Sequence, residues 1–489
     1  MLDVPRAGKD WIYCTLNNYG GNNGNFGLLP TILSAPAAAH KKVALQGLNN
    51  MVGVGLTLEG IHTNWVINEG LLEQGWRFTP QSEPSGNSGT ADLTETVAAD
   101  WTETAVAEPA DDWYQAWVTA FAQRRYGSAE PALVQAWQIL ANRSEVSVYN
   151  GPRGAYFSSW GNTRSLVTRR PFWTSGAGSE WASEYEEGTS AGFQGTAPRY
   201  SPHQLNRALQ LLLSAVDHTP ALKKSRALAV DCVDLAATVM ANEFIILKQQ
   251  LDTAAAGVAP NATAIAAVAE KMVANIIATD ELLGSNENYL LGTWVADARQ
   301  LGRTDAEKRL LEFNARNQVT LWGPAMMVKG KHGQTVPGPQ DYAGKTWQGL
   351  FSTFYLPRQQ LLFGMLEDAA RAASNNSAID FDVLGENFTT ASLIFEGGWG
   401  IASNTSGFLS SAVGDTFALA KELLAKHGST VQGGVWCAVI EAGQTSYNTD
   451  KLGATTHWQL RSYMENVSCP FPCLTMPWNQ GYIRALDCD

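Results

Sequence analysis

Several features that mark particular classes of protein are missing from this sequence. No stretch of about 20 apolar residues occurs, so no membrane span is predicted, and residues 1–14 lack the apolar core of a signal peptide. No run of basic residues occurs either, and the formal net charge is −12, so we expect no nucleic-acid partner. The seven histidines are scattered without metal-ligand spacing. We therefore expect no metal and no organic cofactor.

Cysteine is also scarce, with six residues in a chain of 489. Cys14 and Cys232 lie in apolar segments, whereas the other four fall within residues 426–489. Two interpretations of that C-terminal group stay open: disulfide bonds in a loop-rich extension, or a zinc site, although the paired C-x₂-C spacing of a zinc ribbon is absent. Six Asn-x-Ser/Thr sequons agree with a secretory route, to the cell exterior or to a lysosome or vacuole, with the signal peptide expected outside this chain. The sequons begin at Asn142, Asn261, Asn375, Asn387, Asn404 and Asn466.

Residues 1–78 alternate between strand and helix patterns. Residues 11–16, "WIYCTL", and 51–58, "MVGVGLTL", are short apolar, aromatic and β-branched runs followed by polar or glycine-rich loops. The segment "APAAAHKKVALQGL" between them predicts a helix, and a looser helical pattern follows the second run. This order is typical of a (β/α)₈ barrel, in which functional residues follow the strand C-termini. Two strands cannot close a barrel, so either these units pack on the helices as a small mixed layer or the rest of the barrel lies upstream of Met1.

Beyond residue 78 the pattern changes. Residues 79–112 are polar and acidic and predict a disordered insertion. Residues 113–425 predict a mostly α-helical domain, with a capping box from Thr304 to Glu307 at the start of one helix. A helix over residues 227–250 carries an apolar stripe at steps of four, three and four. The stripe consists of Leu228, Cys232, Leu235 and Val239. The expected fold class is α/β followed by all-α, that is, the last βα units of an incomplete (β/α)₈ TIM-type barrel plus an all-helical domain, with residues 426–489 as a C-terminal extension.

Seven separated segments of the chain resemble, in order and in approximate spacing, the C-terminal two thirds of the alpha-N-acetylglucosaminidases, which are family 89 of the glycoside hydrolases. The segments are "WIYCTLNNYGGNNGNFG", "MVGVGLTLEGIHTN", "WVTAFAQRRYG", "LVTRRP", "LLGTWVADAR", "NARNQVTLWGP" and "DYAGKTWQGLFSTFYLPR". The resemblance covers roughly residues 8–425. It implies a retaining hydrolase that removes terminal α-linked N-acetylglucosamine, in animals from heparan sulfate. It also implies a (β/α)₈ barrel whose cleft is closed by an all-helical domain.

The resemblance implies a catalytic role for one carboxylate. Glu59 in "LEGI" matches the glutamate of the family's P-E-G-I motif, the nucleophile that forms a glycosyl-enzyme intermediate. The family's general acid/base belongs to an asparagine–glutamate motif that has no counterpart here, so we expect the chain to be a fragment. Glu69 and Glu73 follow on a helix that leads away from the strand end. We expect them to be solvated helix charges rather than the acid.

The loop after the first strand is the main candidate for sugar binding. Asparagine amides at a strand C-terminus can bind sugar hydroxyls or the acetamide group, and glycine lets the backbone approach a ligand. The candidates are Asn17, Asn18, Gly20 and Gly21, together with Asn64 beyond the second strand. Judged by residue type alone, the loop residues are equally typical of an ordinary turn. Two positions depart from the family pattern, since Asn17 replaces a common histidine and Trp65 replaces a second glutamate.

The helical domain supplies further candidates. Trp322 and Tyr342 could stack on a sugar or bind its polar edge, although aromatic residues of helical domains more often belong to the core. We expect Trp347 and Arg358 to be structural. The arginine pair 169–170 could bind a carboxylate or sulfate, but such pairs more often form ion pairs with Asp or Glu.

Two functions of different classes follow from the sequence. The first is a hydrolase acting on carbohydrates with terminal N-acetylglucosamine, such as heparan-sulfate-like glycans. The alternative is a non-catalytic sugar-binding module, or pseudoenzyme, that keeps the acetamidosugar pocket without the acid. The sequence leaves the oligomeric state open, a homo-oligomer included.

Overall fold

In a computed structural model of the chain, a small parallel βαβ unit contacts a large helical domain. The structure describes residues 9–16, 24–45, 50–58, 63–77, 111–144, 147–150, 165–168, 170–171, 200–323, 325, 327–329, 335–337, 341, 343–373, 377–402 and 405–428. The predicted insertion 79–112 lies outside these residues except for its last two positions, and so does the C-terminal extension from residue 429 onward.

Two strands and two helices form the N-terminal unit. They are β1 (Trp11–Thr15), α1 (Leu29–Leu45), β2 (Met51–Leu56) and α2 (Trp65–Arg77). β1 and β2 pair in parallel with Thr15 opposite Leu56, and α2 packs against both α1 and β2. The strand, helix, strand, helix order predicted from the sequence is present. Helix α1 is the crossover that a parallel strand pair needs in order to return the chain to the starting edge.

The helical domain contains most of the described residues. Its α-helices are α3 (Asp111–Tyr126), α4 (Pro131–Leu140), α5 (Ser165–Thr168), α6 (Pro202–His218), α7 (Arg226–Ala255), α8 (Ala262–Gly284), α9 (Leu291–Gln300), α10 (Asp305–Gln318), α11 (Leu356–Ala372), α12 (Phe381–Ile401) and α13 (Thr416–His427). One turn of π-helix, Phe351–Tyr355, leads into α11. A short antiparallel pair, β3 (Met327–Lys329) and β4 (Thr335–Pro337), interrupts the helices. The sequence pattern did not predict this pair.

The central helix of the domain is α7, which packs against α3, α5, α6, α8 and α13. Its predicted apolar stripe is confirmed, since Leu228, Cys232, Leu235 and Val239 are all buried. Burial extends around most of the helix from residue 232 to residue 247, as expected for a helix surrounded by others. Polar residues on its remaining face must therefore find partners inside the protein.

Local sequence explains where several helices begin. Ser225 accepts a hydrogen bond from the backbone N–H of Leu228 at the start of α7, and Asn261 accepts one from Ala264 at the start of α8. The capping box predicted at the start of α10 is present, because the Thr304 hydroxyl accepts from the Glu307 N–H and the Glu307 carboxylate accepts from the Thr304 N–H. Such caps satisfy backbone donors that have no partner within the helix.

Within the described residues, α8 is long and apolar enough to cross a membrane by length and composition alone. Its buried residues include Ile265, Met272 and Ile276, and it packs against α7 and α11. The carboxylate of Asp280 near its C-terminal end accepts a hydrogen bond from the backbone N–H of Gly349 at 2.8 Å. These contacts hold one face of α8 against the domain core.

Candidate functional site

The carboxyl ends of β1 and β2 form one edge of the sheet. The carbonyl oxygen of Thr15 accepts hydrogen bonds from the N–H and the hydroxyl of Thr57, at 3.1 and 3.0 Å, so the chain leaves both strands at the same edge. The segments that follow carry most of the predicted site residues. Of all the predicted site residues, six lie outside the described part of the chain: Asn17, Asn18, Gly20, Gly21, Glu59 and Tyr342.

Asn64 is described, and it lies at the start of α2, just beyond this edge. Its backbone φ is 57°, a left-handed conformation that asparagine tolerates better than most residues, and its side chain is buried. Its Oδ1 atom accepts a hydrogen bond from the backbone N–H of Phe26 at 3.1 Å. Its Nδ2 atom is buried without a hydrogen-bond partner. Because the oxygen is already bonded, the hydrogen-bonding capacity left to this side chain is an N–H donor that other atoms of the protein enclose.

Asn25, the residue before Phe26, links the N-terminal unit to the helical domain. Its Nδ2 atom donates to Asp234 at 2.9 Å and lies 3.5 Å from the hydroxyl of Tyr149, and its Oδ1 atom accepts from the hydroxyl of Thr238 at 2.8 Å. Asp234 and Thr238 are four residues apart on α7, so they share one face of that helix. No sequence pattern singled out these residues as part of a site. The only signal was the position of Asn25 in a glycine- and asparagine-rich segment.

A charged network lies one turn earlier on α7. Arg125 of α3 donates two hydrogen bonds to the carboxylate of Asp231, at 2.5 and 2.6 Å, and Tyr126 donates a third at 2.7 Å. Burial alone would lower the pKa of Arg125, but the charge and hydrogen bonds of Asp231 outweigh burial and raise the pKa. Arg125 therefore stays charged and fixes α3 against α7 beside the Asn25 contacts.

Asp341, the residue before Tyr342, belongs to a buried ion-pair cluster. Arg358 donates to Asp341 at 2.7 Å, to Glu396 at 3.0 Å and to the carbonyl of Thr168 at 3.1 Å. Arg170 binds the same two carboxylates, through its backbone N–H to Asp341 and its guanidinium to Glu396. The structural role expected for Arg358 is present, and Arg170 is likewise used in an internal ion pair, while Arg169 lies outside the described residues.

The two tryptophans of this region differ in exposure. Trp347 is buried and meets Trp294 edge to face with ring centroids 5.9 Å apart, which agrees with its predicted structural role. Trp322 follows the end of α10 with a φ of 59° and is 54% exposed. Among the described residues, no hydrogen bond or ring contact joins Trp322 to the strand edge.

Glu69 and Glu73 lie on α2 and take part in ion pairs, rather than being free solvated charges. Arg124 binds Glu69 at 2.8 Å, and Glu73 accepts hydrogen bonds from Arg77 at 2.5 Å and from the indole of Trp117 at 2.6 Å. Partial burial alone would raise the pKa of Glu73, but these hydrogen bonds and the neighbouring positive charges outweigh burial and lower it. Both groups therefore attach α2 to α3.

The part of the chain that the structure describes contains no group of three or more His, Cys, Asp or Glu side chains able to hold a metal ion. Cys14 and Cys232 are both free thiols, and burial raises the pKa of Cys232 well above its ordinary value. The four C-terminal cysteines lie outside the described residues.

Two family models match the chain in sequence order. Residues 5–78 match the model described as the alpha-N-acetylglucosaminidase (NAGLU) tim-barrel domain. Residues 117–426, more than half of the chain, match the alpha-N-acetylglucosaminidase (NAGLU) C-terminal domain.

One curated relative and several solved structures are also similar. Alpha-N-acetylglucosaminidase of Homo sapiens is 28% identical over 430 residues, which are 88% of this chain and 46% of the human protein. A family 89 glycoside hydrolase of Clostridium perfringens, solved with its substrate GlcNAc-alpha-1,4-galactose, superposes with a TM-score of 0.60 at 21% identity and covers 86% of this chain and 39% of that chain. The same enzyme, solved with 2-acetamido-1,2-dideoxynojirimycin, has a TM-score of 0.59. This chain therefore spans less than half the length of these relatives.

Proposed function

Because this chain belongs to the alpha-N-acetylglucosaminidase family, we propose that it forms part of a glycoside hydrolase that removes terminal α-linked N-acetylglucosamine from carbohydrates. The observation that carries the proposal is the match of both family models, over residues 5–78 and 117–426, in sequence order. The proposed partner is a glycan ending in N-acetylglucosamine, with heparan-sulfate-like glycans as the expected class. Exposed sequons at Asn261 and Asn387 support a secretory route.

We propose that residues 1–78 are βα units of an incomplete (β/α)₈ barrel and that residues 113–425 form the helical domain beside its cleft. Parallel strands are normally covered on both faces, yet large apolar side chains of the N-terminal unit are exposed here. Ile12 is 53% exposed, Val52 60% and Trp76 90%. Further βα units of the barrel would cover such side chains.

We assign the nucleophile to Glu59, which comes three residues after the end of β2 in the sequence. Barrel enzymes carry their catalytic groups on the loops that follow strand C-termini. Its carboxylate would attack the anomeric carbon while the glycosidic oxygen takes a proton from a second carboxyl group. Water would then hydrolyse the glycosyl ester. The attack requires an ionised carboxylate and donors that orient the sugar. Asn64 lies five residues further along the chain, and we propose its unpartnered Nδ2 atom as one such donor.

Two nearby carboxylates are poor candidates for the acid. Glu69 is bound by Arg124, and Glu73 by Arg77 and Trp117, so each would have to give up an ion pair before it could protonate a leaving group. A retaining pair also needs its two carboxyl groups about 5–5.5 Å apart. We propose that neither serves as the acid and that substitution of either leaves the chemistry intact.

The first experiment measures release of 4-nitrophenol from its N-acetyl-α-glucosaminide by the wild-type protein, Glu59→Gln and Glu69→Gln. Any release by the wild-type protein should be abolished by Glu59→Gln and retained by the matched control Glu69→Gln, whereas a folded wild-type protein without release would indicate that the acid is not in this chain. Binding of 2-acetamido-1,2-dideoxynojirimycin, measured by calorimetry, adds a readout that needs no acid. Binding without hydrolysis is expected of a chain that lacks the acid and equally of the sugar-binding module, whereas absence of both binding and hydrolysis would contradict the proposal.

A second experiment separates the nucleophile from other essential carboxylates. In Glu59→Ala, added azide should attack the anomeric carbon from the face that the carboxylate would have used. The product should then be the β-glycosyl azide, identified by NMR of the anomeric proton. An α-glycosyl azide would instead assign Glu59 as the acid/base, because the nucleophile would still be present.

A further inference from the structure

We propose that Asp234 and Thr238 of α7 are positioning residues that orient the Asn64 side chain as a hydrogen-bond donor to the sugar. They would act through Asn25 and the backbone N–H of Phe26. This inference rests on the proposed function, because it assigns to the helical domain a part in sugar recognition at the strand edge.

We call this series of hydrogen bonds, from Asp234 and Thr238 through Asn25 and Phe26 to Asn64, the relay. Its first member is the Asn25 amide, whose two ends are held by different groups. Asn25 offers its Nδ2 to the carboxylate of Asp234 and its Oδ1 to the hydroxyl of Thr238, at 2.9 and 2.8 Å. A carboxylate accepts and a hydroxyl can donate, so only one orientation of the Asn25 amide satisfies both partners. The three side chains are buried, and water cannot easily replace either contact.

Residues 26 and 27 carry this constraint to Asn64. The backbone N–H of Phe26 donates to Asn64 Oδ1 at 3.1 Å. Gly27 then packs so closely on α2 that a Cβ atom there would lie 2.5 Å from Cδ1 of Ile67. The backbone between Asn25 and Gly27 therefore has little room to move, and the position of the Phe26 N–H depends on the anchoring of Asn25.

The Phe26 N–H decides what Asn64 can offer to a ligand. An asparagine amide can present either its oxygen or its NH₂ group, depending on which end is already bonded. Here the oxygen is occupied, and Nδ2 remains buried without a partner. An unpaired buried donor is costly, and a sugar oxygen or the acetamide carbonyl would satisfy it after the atoms that enclose Nδ2 move aside.

Thr238→Val tests the relay because it keeps the shape of the side chain and removes the hydroxyl. In the full chain, we expect hydrogen exchange of the Phe26 amide to rise about tenfold and the Kd for 2-acetamido-1,2-dideoxynojirimycin to rise by a similar factor, equivalent to about 1.4 kcal/mol. Thr238→Ser restores the hydroxyl and should restore both values. Asn64→Asp, which replaces the donor by an acceptor, should weaken binding at least as much.

Thr279→Val is a matched control. The hydroxyl of Thr279 is buried on α8 and donates to the carbonyl four residues earlier at 2.8 Å, just as Thr238 lies 2.9 Å from the carbonyl of Asp234. The control therefore removes a buried hydroxyl from a similar helical setting without affecting a contact to Asn25. We expect it to change neither exchange at Phe26 nor inhibitor binding.

The two readouts separate failure of this inference from failure of the proposed function. If the wild-type protein does not bind the inhibitor, the proposed function is contradicted, while exchange at Phe26 still decides whether the relay exists. If Thr238→Val exchanges like Thr279→Val, the relay is wrong. If exchange rises but inhibitor affinity does not change, the role in sugar recognition is wrong.

Discussion

Arg358→Met should destabilise the helical domain by about 3 kcal/mol, a value that follows from the partners the arginine leaves behind. Arg358 and Glu396 are fully buried, and Asp341 is nearly so. Removing one member of a buried ion pair typically costs about 3–5 kcal/mol. Arg170 would still bind Glu396 and donate its backbone N–H to Asp341, so we expect the lower end of that range.

The assay is urea unfolding followed by far-ultraviolet circular dichroism, with Arg371→Met as the control. Arg371 forms ion pairs with Glu367 and Asp368 on an exposed face of α11, and such pairs contribute about 0–1 kcal/mol. With a denaturant slope of about 3 kcal/mol per M, the midpoint for Arg358→Met should fall by about 1 M, and the control by much less.

A double-mutant cycle tests the reason for the loss. Asp341 has a φ of 63°, which asparagine also tolerates, so Asp341→Asn removes the charge without changing the preferred backbone conformation. Combined with Arg358→Met, it should cost less than the sum of the two single substitutions, because an uncharged amide no longer needs the guanidinium. An additive cycle, or a loss for Arg358→Met no larger than that for Arg371→Met, would refute the reasoning.

Three further predictions concern stability. Burial raises the pKa of Asp280 despite the hydrogen bonds that its carboxylate accepts, so the folded protein holds this proton more tightly than the unfolded chain. Stability should therefore fall as pH rises from about 4 through the raised pKa, and Asp280→Asn should remove that part of the slope in unfolding experiments across this range. Gly27→Ala would force a Cβ atom to within 2.6 Å of two Ile67 atoms and should cost about 1–3 kcal/mol of stability. A Cβ atom at the control position, Gly53→Ala, meets no atom within 4 Å and should cost much less. Equal unfolding midpoints for the two variants would contradict the close approach at Gly27. Asp380→Ala removes the side-chain acceptor for two backbone N–H groups at the start of α12 and should cost about 1 kcal/mol, and an unchanged midpoint in urea would show that the cap is dispensable.

The amino-acid sequence was most informative where structure depends on nearby residues. The parallel βαβ unit, the buried stripe of α7 and the capping box at Thr304 follow from residue spacing within one or two elements. The resemblance to a family, carried by seven short segments, agrees with both family-model matches. The roles of Glu59 and of loop residues 17–21 stay predictions, since these residues lie outside the described part of the chain.

Tertiary structure alone decided which buried polar side chains meet. Asn25 binds Asp234 across 209 residues, and Arg170 binds Glu396 across 226. The sequence by itself determined the helices, the parallel strand order and the family, because helix caps and apolar periodicity act over a few residues. It could not determine these distant pairs, since each depends on how helices far apart in the chain pack, and a shift of one residue along either helix would turn the side chain to another face.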